Sequence, residues 1–497
     1  MSENIKQPSM LDALIPVLFL ILSLAASVYL YGEDSSYGPN QIALVMSAAI
    51  AGLIAYKNGL KWDALQEGLT AGIQMAMGAI LILFCVGMLI GSWMLSGTVP
   101  TMIIYGIELL NPSLFYPAAC LISAIVAISI GSSWSTAGTV GVAFIGIASA
   151  LQLDPAITAG AVISGAYMGD KLSPLSDTTN LAPAVAGTEL FAHIKHMLWT
   201  TVPAFIIAMI LFSFLGFGAE GVITDPTIDT IKATLSSEFH IAWYMLFPMV
   251  VLLVMANRKI PALPSVIVGS LVGVIFSLLF QQDAVLKMAN TSSISTGTAL
   301  EFMNGFFVQL KGIWSVLFGG LNIETGVSQV DSLINKGGMA SMNNTVWLII
   351  SAMAFGGMME KAGLVNKLVQ SILARVSTVR GLLASTLATA FGTNLIASDQ
   401  YMSIVMPGRM YKAEFEKRNL DSRNLSRAIE DAGTVTSALI PWNTCGAFMA
   451  GALGVATIDY LPYAFFNIFS PIVALVSAWF LFKVIFVKPS PKSEAAE

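Results

Sequence analysis

From Leu109 to Leu153 the chain carries no charged side chain, and Gly68–Ile107 is a second such run. A hydrocarbon core about 30 Å thick is crossed by a helix of about 20 apolar residues. Inside that core every backbone N–H and C=O must be paired within the protein, which leaves helices and closed barrels as the spanning forms. Further uncharged runs cover Ala13–Gly32, Ser35–Tyr56, Pro261–Gln282, Gly337–Met359, Gly381–Ser398, Ala432–Ile458 and Tyr460–Phe482. A barrel would show short alternating segments instead. Charged residues make up 11% of the 497, and the mean hydropathy is +0.77. A soluble protein carries about 25% charged residues. The sequence therefore predicts an all-α polytopic membrane protein of about 10–14 membrane segments, with the lipid bilayer as its solvent.

Several classes are set aside. Leu11–Tyr31 has no small-residue cleavage site and precedes many more apolar runs, so it reads as a retained helix and not a signal peptide. Cys85, Cys120 and Cys445 lie in apolar surroundings with no metal spacing. His193 and His196 are one helical turn apart without a visible third ligand. No HExxH, phosphate loop or nucleophile elbow is present, so neither an enzyme nor a cofactor is expected. The net charge of −5 is dispersed, and no nucleic-acid partner is indicated. Ser149 and Ser164 read as hydroxyls bonded one turn back, Asp154 before Pro155 as a helix cap, and Glu360 with Lys361 as interfacial.

Two halves share themes in the same order. Gly91–Val99 resembles Gly357–Val365 at an offset of 266. Ile128–Gly138 resembles Thr389–Asp399, with Gly131 on Gly392, and Leu172–Thr179 resembles Leu439–Gly446, with Pro174 on Pro441. These matches suggest a duplicated unit. The expected organisation is a first repeat over residues 1–218, a polar linker over 219–238, a second repeat over 239–487 and a tail over 488–497. Basic residues favour the cytoplasmic side. Lys57 and Lys61 place one loop there, while Glu33 and Asp34 mark the preceding loop as external. Lys361, Lys367, Arg375 and Arg380, with Arg258 and Lys259, then orient the second half oppositely. Inverted repeats with broken helices are a mark of secondary transporters built around a midplane site. Both termini are expected in the cytoplasm, and a homodimer is compatible with the pattern.

Four polar clusters interrupt the apolar runs: Gly131–Thr139, Gly169–Asn180, Phe391–Gln400 and Ala428–Gly446. Non-helical backbone at membrane depth is tolerated only where it is buried in protein or lines a cavity. Its carbonyls, with hydroxyls such as Ser132 and Ser133, are hard ligands suited to Na+. Asp177 follows Pro174 in a polar turn, and a carboxylate at that depth is costly unless paired or protonated. Asp177, Thr178 and Asn180 are the expected Na+ ligands, with H+ competing for the buried aspartate. Asp170 is the next candidate, although Asp170–Lys171 also reads as an interfacial pair. In the second half Asp399, Glu430 and Asp431 are candidates.

The strings GSSWSTAGTVG, GDKLSPLSDTTNLAP (Gly169–Pro183) and PWNTCG (Pro441–Gly446) resemble the NhaC family of sodium/proton antiporters, within the wider ion-transporter superfamily. The resemblance covers about Leu11 to Phe486. It implies Na+/H+ antiport at the cell membrane by alternating access. It also implies an alternative: a coupled carrier of a small organic acid, such as malate for lactate, or of an amino acid. Carried over by position, it puts Asp170, Ser173, Asp177, Thr178 and Asn180 at the first-half site. Thr393, Asn394, Asn443 and Thr444 would form the second. Thr444 stands where Asp177 would recur, so the two sites differ in charge. An anionic cargo would need a cationic side chain at the site, for which Lys171 and Arg409 are the candidates.

Overall fold

The computed structural model describes residues 6–31, 35, 37–109, 111–217, 226–258, 260–289, 299–374 and 376–487. Glu33, Asp34, Lys259, Arg375, the first part of the expected linker and the tail 488–497 lie outside them. Regular structure among the described residues is helical, aside from an isolated bridge between Leu420 and Phe486. Among the described residues, six helices can cross a membrane by length and composition, or up to nine if each of three bent pairs forms one span. Helices around the polar clusters, such as Pro155–Leu172 and Val379–Ala397, fall outside that group. Glycine, Ser, Thr and Asp residues interrupt their apolar character. The expected 219–238 linker contains the helix Pro226–Glu238.

The outside of the bundle is apolar. Leu22, Phe214, Leu271 and Trp314 are each more than half exposed. Contiguous apolar surface of this kind is unsuited to water, and here it faces the hydrocarbon. The interior is also mostly apolar, yet it encloses charged side chains: Glu430, Asp431 and Lys171 are fully buried.

The duplication is written in the helix boundaries. Pro112–Ile130 recurs 267 places later as Val379–Ala397. Pro155–Leu172, capped by Asp154, recurs as the run that starts at Ser422, is capped by Asp421, and ends at Leu439. Asp177–Ala186, capped by Ser176 and closed by left-handed Gly187, recurs as Thr444–Leu453, capped by Asn443 and closed by left-handed Gly454. This corrects the pairing of Gly131 with Gly392. The left-handed turn after the first helix is Gly131 (φ 74°), and its equivalent is Ser398 (φ 58°). A non-glycine residue rarely adopts that conformation.

One equivalent pair packs together and runs in opposite directions. A Cβ on Gly72 would meet Gly357, late in Asn343–Lys361, whereas Gly87 accepts a backbone hydrogen bond from Gly338, just before that helix. The stretch containing Met77–Leu95 therefore passes its own counterpart, Asn343–Lys361, antiparallel. Close approach elsewhere also relies on glycine. A Cβ on Gly165 would lie 2.0 Å from the Cys120 carbonyl oxygen, so Pro155–Leu172 can seat against Pro112–Ile130 only without a side chain there.

Candidate functional site

The broken helices of both halves enclose a cavity of about 340 Å³. Its first-half wall is Ser132, Ser133, Trp134, Asp170 and Asp177, and its second-half wall is Asp399, Gln400, Tyr401, Thr444 and Cys445. Four of these pairs are equivalents at the 267-residue offset: Ser132 with Asp399, Ser133 with Gln400, Trp134 with Tyr401, and Asp177 with Thr444. The cavity thus lies where the two halves face each other. Met75, Ala76, Gly78, Ala79 and Ile82 form a further wall, where Trp62–Met75 gives way to Met77–Leu95.

Local sequence explains how the carboxylates are presented. Ser173 and Pro174 end Pro155–Leu172, and the Ser173 hydroxyl donates to the Ile128 carbonyl at 2.7 Å. Ser176 caps the next helix, so Asp177 is its first residue, at the end whose unpaired N–H groups favour negative charge. Asp177 is exposed to the cavity and not buried as expected. It accepts hydrogen bonds from the Thr178 amide at 3.0 Å and from the Tyr401 hydroxyl of the other half. Asp170 is the buried one, 4% exposed. Its Oδ2 accepts from the Ser133 amide at 3.0 Å and the Ser133 hydroxyl at 2.7 Å, while its Oδ1 has no hydrogen-bond partner.

The second half repeats this pair without charge. Ser437 stands where Asp170 stands, Gln400 stands where Ser133 stands, and the Ser437 hydroxyl donates to Gln400 Oε1 at 3.1 Å. The same backbone plan thus presents a carboxylate on one side and an amide with a hydroxyl on the other. Asp399 is buried, lines the cavity and caps Gln400–Lys417 by accepting from the Met402 amide at 2.9 Å.

Other expected residues lie beside the cavity. The Asn180 amide donates to the Pro174 and Ser176 carbonyls at 2.9 and 2.6 Å, and holds the break in shape. Thr178 is buried against the Ser176 hydroxyl at 3.1 Å. Thus of the expected Na+ ligands only Asp177 reaches the cavity. Thr393 is bonded back to the Thr389 carbonyl, an ordinary helix contact. Asn394 and Asn443 bond to each other at 3.1 Å, and Asn394 also donates to the Gly433 carbonyl, tying three broken elements together.

Glu430 and Asp431 sit in a π turn, Glu430–Thr434, behind the cavity. Both Glu430 oxygens are buried without a hydrogen-bond partner. Lys171 does not pair with Asp170. Its ammonium bonds Asp431, with Ser470 at 3.1 Å, and Thr200 donates to the same Asp431 oxygen at 3.0 Å. Arg409 is exposed and away from the cavity, so neither expected cation lines it. Asp154 is the cap its position indicated, accepting from the Ala156 amide at 2.7 Å. Ser149 bonds back to the Ile145 carbonyl, whereas Ser164 instead accepts from the Phe466 amide. Among the described residues no three Asp, Glu, His or Cys side chains converge on one point.

Trp134, Gln400, Tyr401 and Cys445 were not anticipated as wall residues. Applying the offset of 267 to the first-half cluster would have identified Gln400 and Tyr401.

Comparison with known proteins gives a consistent result. Residues 165–480 match the profile of the Na+/H+ antiporter family. The chain is 38% identical over 435 residues to the Na(+)/H(+) antiporter NhaC of Alkalihalophilus pseudofirmus, covering 88% of this chain and 89% of that one. It is 36% identical to the arginine/ornithine antiporter ArcD of Halobacterium salinarum, covering 98% and 96%. It is 35% identical to the malate-2H(+)/Na(+)-lactate antiporter of Bacillus subtilis, covering 93% and 92%.

Proposed function

The chain belongs to the Na+/H+ antiporter family, and from that premise we propose that Asp170 and Asp177 are the carboxylates at which Na+ and H+ exchange. The protein is a secondary active Na+/H+ antiporter. The observation that carries the site assignment is the free Oδ1 of Asp170, buried at the cavity wall beside Asp177. A buried acceptor without a partner is costly. A bound cation or a proton removes that cost, and the two cannot both occupy the oxygen. Asp177 can exchange its partners readily because it is exposed, and the Tyr401 hydroxyl supplies a donor from the opposite half. The Ser133 hydroxyl offers a further oxygen.

Alternating access follows from the inverted halves. Two antiparallel copies of one plan can close on either side of a shared cavity with similar contacts. The basic end, with Lys57, Lys61 and Lys361, faces the cytoplasm, as do both termini, and the protein resides in the cell membrane. Reconstitution in liposomes with an interior pH dye tests the reading. Added Na+ should move protons, and no response to Na+ or Li+ would sink it.

A further inference from the structure

A second cavity, of about 510 Å³, lies beside Tyr37, between Met77–Leu95 and Val142–Ala150 of the first half and Asn343–Lys361 and Thr444–Leu453 of the second. It shares no wall residue with the aspartate-lined cavity. Trp134 of that other wall stacks, with ring centres 4.1 Å apart, on Phe448, the neighbour of Ala447 in this one. Lys336 is the one charged residue in the wall among the described residues. Its backbone is pinned in place. The Leu321 amide donates to the Lys336 carbonyl at 3.1 Å, and the Gly338 amide donates to the Gly87 carbonyl at 2.7 Å. Gly337 and Gly338 take positive φ values of 89° and 81°, and a Cβ on Gly337 would lie 2.3 Å from the Gly91 nitrogen. The Lys336 side chain is partly buried, and its ammonium makes no ion pair or hydrogen bond among the described residues. Asp331, the nearest carboxylate in sequence, accepts instead from the Thr325 amide at 2.8 Å and hydroxyl at 2.7 Å. Burial with no partner pulls the lysine below its ordinary pKa. Charges taken out of water are ordinarily paired.

We propose that this second cavity is an anion site, in which a small monovalent anion, a halide or a short unsubstituted carboxylate, partners the Lys336 ammonium. Asn344 and Thr345, in the first turn of Asn343–Lys361, bring an amide and a hydroxyl to the same wall, at the helix end that favours negative charge. Much of the remaining wall is aliphatic, with Ile90, Met94, Leu348, Leu453 and Val455. That composition selects among anions. One ammonium balances one negative charge, so a dianion would keep an uncompensated one. A hydroxy acid would turn its extra polar groups toward aliphatic side chains, which is costly without partners. The anion is therefore a bound partner at Lys336, separate in place and in chemistry from the ions exchanged at the aspartates.

The test uses the purified full chain in detergent, at fixed sodium concentration, pH and ionic strength, with gluconate as the background anion. Chloride, acetate, sulfate and malate replace gluconate in turn while thermal unfolding is followed, and binding of radiolabelled chloride and acetate is measured by equilibrium dialysis. Chloride or acetate should bind saturably and raise the unfolding temperature, and the stronger of the two tells the halide form of the site from the carboxylate form. Lys336→Gln should weaken that binding about tenfold or more, as expected for loss of a charge-assisted contact. Lys336→Arg should keep most of it. In gluconate alone Lys336→Gln should melt no lower than wild type, because it removes an unpaired charge. Thr345→Val leaves the lysine in place and should weaken binding severalfold. No saturable binding of chloride or acetate would overturn the proposal, as would wild-type affinity in Lys336→Gln or tighter binding of malate or sulfate. Sodium-driven proton movement is scored separately in liposomes; its absence would defeat the antiport reading and leave the anion site standing.

Discussion

Lys171, in the first half, and Asp431, in the second, form an ion pair in which neither side chain is exposed to solvent. Removing one partner of such a pair leaves an uncompensated buried charge and costs about 3–5 kcal/mol, whereas replacing both with apolar residues is close to neutral. Lys171→Met and Asp431→Leu should each lower the unfolding temperature sharply in detergent. The double variant should recover most of the loss. Additive losses in the double variant would show that the pair does not couple the halves.

Glu430 is fully buried beside Lys171 and Asp170, behind the cavity wall. It should support the site without being the exchanging carboxylate. Glu430→Gln, assayed by sodium-driven proton movement, should shift the apparent sodium affinity and leave exchange measurable. Complete loss in a folded variant would move Glu430 into the ion path.

Asp154 and Asp421 cap equivalent helices, and each should lose about 1 kcal/mol of stability when changed to Ala, with Asn retaining most of the cap. Asp421 adds a pH signature. Its hydrogen bond with Arg423 holds the carboxyl below its ordinary value. Because its folded value lies below the unfolded value of about 3.9, its stabilising contribution is complete above that value and fades as pH falls through the folded one. Thermal melts of wild type and Asp421→Asn should therefore converge toward acid pH. A gap that widens on acidification would contradict the assignment.

The inverted arrangement predicts which residues share a side. Cysteines placed at Lys61 and Lys367 should react with a membrane-impermeant reagent only from the cytoplasmic face, and one at Tyr37 only from outside. Labelling of Lys61 and Lys367 positions from opposite faces would break the repeat model.

Much of this was legible because the chain is so apolar. Against uncharged runs, Asp170, Asp177 and Asp399 stand out, and all three line the cavity. Aromatic and amide side chains do not stand out in the same way. Trp134, Tyr401 and Gln400 match ordinary apolar or interfacial helix positions until the duplication is aligned. That alignment slipped because Gly392 resembles Gly131 in composition, whereas the turn conformation recurs at Ser398, which is not glycine. The Lys171–Asp431 pair joins residues 260 apart, and no local pattern links them. Asn180 and Ser173 were legible as functional by motif, but their hydrogen bonds to Pro174, Ser176 and Ile128 show that they shape the break.

The central claim is that Asp170 and Asp177 exchange Na+ for H+. The most direct measurement is sodium-driven proton movement in liposomes with Asp170→Asn and Asp177→Asn, each shown to be folded and inserted. Asn keeps the size and one oxygen but removes the charge, so exchange should be abolished in both. Asp177→Glu should retain part of the rate with a displaced pH optimum. Wild-type rates in the two Asn variants would contradict the account.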